Sequence, residues 1–328
     1  MKVLNFGSLN VDYVYTVDHM VQGGETLNTS KMDIFLGGKG FNQSAALAKA
    51  GAAVYHAGQI GDDGLNFLEA CQEYGIHSDY IRKCIGKSGH TIIQVDKKGQ
   101  NCILLYGGSN RTITEEFVNE VLSNFEEGDF LILQNEINLL PYIIDVAYKK
   151  GMVIVLNPSP MDDNLLSCDL SKVSYFLLNE IEGAQITGET DLAKIPEKLL
   201  DLYPDAKIVL TLGHNGSVYV DKCQTIPQGI YKVETVETTA AGDTFTGYFI
   251  SEIISGKSIS CALEIAAKAS AITVTRKGAA PSIPYRNEVE NTNFSNRTNY
   301  KKDLHRNVLG NQTFCESLFV RGKLEGLS

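Results

Sequence analysis

Residues 130–156, FLILQNEINLLPYIIDVAYKKGMVIVL, hold two short apolar runs on either side of a longer amphipathic one. The run at 130–133 is four residues long, a length that suits a buried strand better than a helix. From 140 to 150 the apolar positions recur at helical spacing, and Gly151 ends the segment as a C-terminal glycine does. Val153-Ile154-Val155-Leu156 is a second strand. Strand, helix and strand, with both strands apolar throughout, predict a parallel pair covered on both faces.

The same alternation extends outward. Strands are expected at 3–6, 54–60, 175–178 and 208–211, and helices at 43–51, 64–74 and 117–125. Together they predict an α/β fold with a central, mostly parallel sheet between two helical layers. Residues 12–36 and 88–106 instead alternate apolar with polar, and the KKGQ turn at 97–100 joins two such strands. They predict a small separate sheet, a lid beside the GGKG loop at 37–40. One domain is expected over 1–284, followed by a tail at 285–328 rich in asparagine and charge. Within it 289–300 reads as loosely packed, and Leu318-Phe319-Val320 as one short element.

A chain of 328 residues, 43% apolar and 21% charged, can bury a substantial core. The net charge of -10 argues against nucleic acid or an anionic membrane as a partner. No apolar run reaches the roughly 18 residues of a membrane span. The opening MKVLNFGSLNVD lacks a secretory pattern, and the seven cysteines include no CxxC pair. Reduced thiols in a cytoplasmic protein are the expectation.

The chemistry concentrates after strand ends. TTAAGDTF at 238–245 is a small-residue turn opening a helix, with Asp243 at its mouth. Free amides at a helix start attract an anion such as phosphate, and a carboxylate there can take a proton from an attacking hydroxyl. A helix whose first turn is capped by Asp243 is the plainer reading. In GGKGFN at 37–42, glycines let the backbone approach a ligand, and Lys39 and Asn42 can bond to hydroxyls or phosphate. Asn10 and Asp12, placed at the end of the first strand, share one side of the chain and point into a cleft, or else form a turn. Asn179-Glu180-Ile181-Glu182 offers a carboxylate for Mg²⁺ or an acid-rich helix start. Thr211-Leu212-Gly213-His214-Asn215-Gly216 is a glycine turn able to lie against a nucleotide, or a plain turn.

Taken in order, FGSLNVD, GGKGFNQSAA, LQNEI, LNPSP, NEIE, TLGHNG, TTAAGDTFTG and VTRKGAAPSIP resemble the ribokinase (PfkB) family of sugar kinases over residues 1–284. The resemblance implies that family's three-layer fold with a β-sheet lid, and ATP-dependent phosphorylation of D-ribose at its 5-hydroxyl. It places ribose at Asn10, Asp12, Gly38, Lys39, Asn42 and Glu136. Asp243 is then the general base, with the amides of Ala240, Ala241 and Gly242 as anion hole. Asn179, Thr211, Gly213, Gly216 and Gly242 belong to the ATP site, and Glu182 supports Mg²⁺ through water. A monovalent cation, usually K⁺, is expected at Glu237, Thr239, Thr273, Arg276, Gly278 and Ser282. A homodimer joined through the lid is also implied. The chain departs from the family pattern at Glu237, usually aspartate, at Phe41, usually alanine, and at Ser159 of NPSP, usually NPAP. Kinases for fructose, a deoxy-sugar acid or a nucleoside share the pattern. A non-catalytic regulator would be expected to lose Gly242 or Asp243, and both are present.

Overall fold

A computed structural model describes residues 1–98, 100–294 and 298. The strands are β1 (Val3–Phe6), β2 (Asn10–Thr16), β3 (Lys31–Gly37), β4 (Val54–Ile60), β5 (His77–Lys83), β6 (Gly89–Val95) and β7 (Asn101–Tyr106) in the first part of the chain. They continue with β8 (Phe130–Gln134), β9 (Val153–Asn157), β10 (Tyr175–Asn179), β11 (Lys207–Thr211), β12 (Ser217–Val220) and β13 (Thr225–Gln228). The first helices are α1 (Lys39–Lys49), α2 (Asn66–Tyr74), α3 (Glu115–Leu122), α4 (Leu140–Lys149) and α5 (Asp163–Leu166). After them come α6 (Glu180–Thr187), α7 (Ile195–Leu202), α8 (Ala241–Ile254), α9 (Ile259–Thr273) and α10 (Arg286–Asn291).

Nine strands form one sheet in the order β13-β12-β11-β10-β9-β8-β1-β4-β5, parallel from β11 to β5 and antiparallel at the β12 and β13 edge. The apolar strands feed two cores by alternation, as period-2 geometry requires. Leu131, Leu133, Ile154, Leu156, Phe176 and Leu178 face the core under α3, α4 and α7. Ile132, Val155, Leu177 and Val209 face the core under α1, α2, α8 and α9. The predicted parallel sheet and its two covering layers are therefore present.

A second sheet, ordered β3-β2-β6-β7, is built from the two alternating stretches. It begins earlier than expected, because Gly7-Ser8-Leu9 separates β1 from β2 and Asn10 opens the small sheet instead of ending the first strand. The start of the tail also differs. Residues 286–291 form α10, with Val289 buried, Arg286 paired with Glu252 and Arg276 with Glu288. These partners lie in other helices or loops, so nothing local in the sequence announced them. Leu318-Phe319-Val320 lies outside the described residues. Among the described residues no helix is long and apolar enough to cross a membrane, and the six cysteines are free thiols.

Candidate active site

Helix α1 begins at Lys39, earlier than its sequence pattern placed it, so most of GGKGFN lies in the helix's first turn. No side chain of its N-cap, Gly38, caps it. The first-turn amides, which no cap serves, instead find distant acceptors, as buried donors must. Lys39 N donates to Glu136 Oε2 at 3.0 Å, Gly40 N to Ser8 Oγ at 3.1 Å and Phe41 N to Ser8 O at 2.9 Å. Gly40 is needed because a β-carbon there would lie 2.3 Å from Ser8 N. Ser8 Oγ also donates to Glu136, which ties the end of β1, the start of α1 and the loop after β8 together.

Helix α8 supplies the other half. Ala240 precedes it in the left-handed region (φ 60°), and no side chain caps the helix. Ala241 N donates back to Thr238 O at 3.2 Å, whereas the amides of Gly242 and Asp243 have no partner among the described residues. A β-carbon on Gly242 would meet nothing within 4 Å, so this face of the turn is open. Asp243 is buried, and its carboxylate accepts from Asn42 Nδ2 at 3.1 Å and Gln43 Nε2 at 2.9 Å.

Lys39, Asn179, Glu182, Thr211 and residues 240–243 line one cavity of about 240 Å³. A wider groove of about 680 Å³ continues from Asn179, Thr211 and Gly242 past Gly213, Gly216, Tyr231, Ala271 and Val274. Gly216 (φ 98°) must be glycine, since a β-carbon would sit 2.2 Å from Gln228 O. At β10, Asn179 and Glu182 make a reciprocal cap. Asn179 Oδ1 accepts from Ile181 N and Glu182 N, while Glu182 accepts from Asn179 N and Nδ2. The helix-start reading of this motif is thus correct locally, and Glu182 still borders the cavity.

On the lid side, Asp12 accepts from the Thr91 hydroxyl across β2 and β6. Asn10 Oδ1 accepts from Asn110 Nδ2 at 2.7 Å. A side chain at Gly37 would collide with Asp12, its β-carbon lying 2.0 Å from Oδ2. Gly38 (φ 89°) passes Asn10 closely, its β-carbon position being 3.0 Å from Asn10 N. Burial pushes the Asp12 carboxyl up to about 6; the Thr91 hydroxyl opposes this and Glu136 adds to it. Burial likewise raises Glu136, although Lys39 and Ser8 resist. For Lys39 burial acts downward, but Asp243, Glu136 and Glu182 outweigh it and hold the ammonium above its ordinary value. The cleft therefore presents one held cation among four carboxylates.

The residues assigned to a monovalent cation lie before α8 (Glu237, Thr239), at the end of α9 (Thr273) and in the segment after it (Arg276, Gly278, Ser282). Glu237 accepts from the Thr239 hydroxyl and from Gly278 N at 3.0 Å. Thr273 donates to Thr244 Oγ1 at 3.1 Å, one residue from Asp243, and Ser282 donates to Ala279 O at 2.7 Å. The Arg276 side chain pairs with Glu288, so only its backbone would face a cation. No three His, Cys, Asp or Glu side chains cluster as a metal cage among the described residues. Of the residues that could support Mg²⁺, Glu182 borders the cavity. Among these residues the Glu237 carboxylate, beside Thr239 and Gly278, is the anionic oxygen donor that a monovalent cation would take.

Sequence reasoning passed over Ser8, Gln43, Thr91 and Asn110 as site residues. Asn110 reaches Asn10 from 100 residues away, and no local pattern marks it.

The pfkB family carbohydrate kinase profile matches residues 1–286. Ribokinase of Staphylococcus aureus (strain COL) is 35% identical over 304 residues, covering 88% of this chain and 98% of its own. The structure of Thermotoga maritima ribokinase superimposes with a TM-score of 0.79 at 32% identity, covering 88% of this chain and 98% of its own. Arabidopsis thaliana ribokinase, solved with ribose and ATP, gives 0.77 at 28% identity and covers 88% and 97%. The chain belongs to the pfkB family of carbohydrate kinases and is a sugar kinase.

Proposed function

We propose that the protein transfers the γ-phosphoryl group of ATP to the 5-hydroxyl of D-ribose. One observation carries the reading: Asp243 stands at the open mouth of α8, held by Asn42 and Gln43, with the Lys39 ammonium sharing the same cavity. Phosphoryl transfer asks for positioning and charge stabilisation more than for covalent chemistry. The two amide donors occupy part of the carboxylate's acceptor capacity and leave lone pairs free for the hydroxyl proton.

In this reading ribose lies between the small sheet and the start of α1, held by Asn10, Asp12, Gly38, Lys39, Asn42 and Glu136. The amides around Gly242 and the Lys39 ammonium stabilise charge on the transferred group. The nucleotide runs along the groove past Asn179, Thr211, Gly213 and Gly216. Glu182 supports Mg²⁺ through water, which when bound neutralises phosphate charge. Glu237, Thr239, Thr273, Arg276, Gly278 and Ser282 would hold K⁺. The small sheet acts as the lid that keeps water from competing as acceptor.

A homodimer joined through the lid suits the lid's surface. Strand β7 is an exposed edge, and its Ile103, Leu104, Leu105 and Tyr106 are each exposed, as are Met32 and Ile34 on β3. Apolar side chains on an open sheet edge are what pairing covers. Light scattering tests it, and a monomer at micromolar concentration overturns it. Free thiols suit a cytoplasmic location.

The deciding assay is ADP formation across ribose, deoxyribose, fructose and adenosine, with Mg²⁺, with and without K⁺. Ribose giving the highest kcat/KM supports the proposal; preference for fructose or adenosine overturns it.

A further inference from the structure

Behind Asp243 a chain of buried polar side chains runs into the core. Gln43 Nε2 donates to Asp243 Oδ1, and Gln43 Oε1 accepts from Gln134 Nε2 at 2.7 Å. Gln134 Nε2 also donates to Asn5 Oδ1 at 3.0 Å. Asn5 Nδ2 donates to Gly40 O at 2.7 Å and to Ser44 Oγ at 2.8 Å, and Ser44 Oγ lies 2.8 Å from His56 Nδ1. Asn5, Gln43, Ser44 and His56 are fully buried and Gln134 nearly so.

The donors run outward from Gln134, one arm toward Asp243 and the other toward His56. In the tautomer with Nδ1 unprotonated, the Ser44 hydroxyl, which accepts from Asn5 Nδ2, donates to His56 Nδ1, and the buried Nε2 has no partner among the described residues. Burial pushes the imidazole down to about 4, so it stays neutral at working pH. Gln134 and Gln43 thus turn their NH₂ groups toward Asp243, while Asn5 turns its carbonyl to Gln134 and its NH₂ away, toward Ser44. At Gln134 this orientation leaves Oε1 buried without a partner among the described residues. The opposite orientation would satisfy nothing, because it would aim that oxygen at the oxygens of Gln43 and Asn5. A reversed Gln43 would in turn aim a carbonyl at the Asp243 carboxylate. Apolar side chains would fill this core at lower desolvation cost, so direction is what these groups contribute.

We propose that Gln43 is a positioning residue for Asp243, and that Gln134, Asn5, Ser44 and His56 fix the direction of its amide so that the carboxylate stays aimed at the acceptor hydroxyl. This rests on Asp243 being the base. A donor to a carboxylate favours its charged form, so losing it raises the pH at which the base becomes protonated.

The test measures kcat and both KM values from pH 5 to 9 for Gln43→Leu and Gln134→Met, with thermal melting to establish that each is folded. Gln134→Met keeps Gln43 but removes what orients it, and serves if Gln43→Leu does not fold. The expected result is an acidic limb of kcat moved upward, on the order of one pH unit for Gln43→Leu and less for Gln134→Met, with each KM within about threefold. A limb at its wild-type pH in a folded variant, or a loss confined to KM, overturns the proposal. Asp243→Asn, run in parallel, separates the two readings. If it retains normal turnover the base assignment itself fails, and if it is inactive while the limb does not move, only the positioning role fails.

Discussion

Gly247 of α8 lies directly against Ala46 of α1: a β-carbon at Gly247 would be 2.4 Å from Ala46 Cβ and 2.8 Å from Leu47 N. One helical turn earlier on each helix stand Asp243 and the pair Asn42 and Gln43. The close crossing at Gly247 therefore sets the distance at which the carboxylate meets its two donors.

Replacing Gly247 with valine should force the helices apart. Overpacking of this kind costs about 1–3 kcal/mol, and here it also lengthens the hydrogen bonds to Asp243. A lowered Tm together with a lowered kcat is expected in melting and steady-state measurements. A variant with a lowered Tm but wild-type kcat would uncouple the crossing from the site.

Asp243→Asn should lower kcat by about 10²–10⁴ while leaving sugar and nucleotide affinity within a few-fold. Calorimetric titration beside the kinetics separates the two effects. Near-normal turnover would remove Asp243 from the mechanism.

Asp12, held up to about 6, gives the sugar site a pH dependence. Below about 6 it is neutral and a weaker acceptor for sugar hydroxyls, so kcat/KM for the sugar should fall as pH drops through 6. Asp12→Asn should raise KM and abolish that limb. The stability sign is opposite. With a folded value above the ordinary 3.8, the native state binds more protons between about 4 and 6, so this group's contribution to stability declines as pH rises through that window. Asp12→Asn should therefore raise the Tm of the ligand-free protein at pH 7, measurable by calorimetry.

Glu237→Gln should weaken any response to K⁺. The carboxylate accepts from Gly278 N and Thr239, and the amide would supply a neutral oxygen in its place. Activity titrated with KCl at constant ionic strength should show the half-activating concentration raised about tenfold or more, the scale of one lost charge interaction. An unchanged midpoint would place the cation elsewhere.

The parallel sheet was legible because its strands are short apolar runs between helices, and Asp243 because a small-residue turn opens a helix beside it. The true start of α1 was not, since its first amides are satisfied by Ser8 and Glu136 and not by a local cap. Phe41 departs from the family's alanine yet is buried, edge-on to Phe67 with ring centres 5.0 Å apart. That contact only the folded chain displays. The wiring behind Asp243 joins residues of β1, α1, β4 and β8, and no spacing rule connects them. Helix α10 was hidden for the same reason, because its charges pair with partners brought by tertiary packing.

Asn42 and Asp243 are separated by 201 positions, and that distance has a consequence for synthesis. Every parallel strand and the whole small sheet leave the ribosome before α8 does. Until then the face of α1 that packs on α8 is uncovered, and the acceptor pocket has walls but no base. The docking event that closes the second core is the one that brings the carboxylate to its donors. A stalled or truncated chain can thus be sticky, but it cannot be an active kinase, and turnover serves as a readout of completed folding.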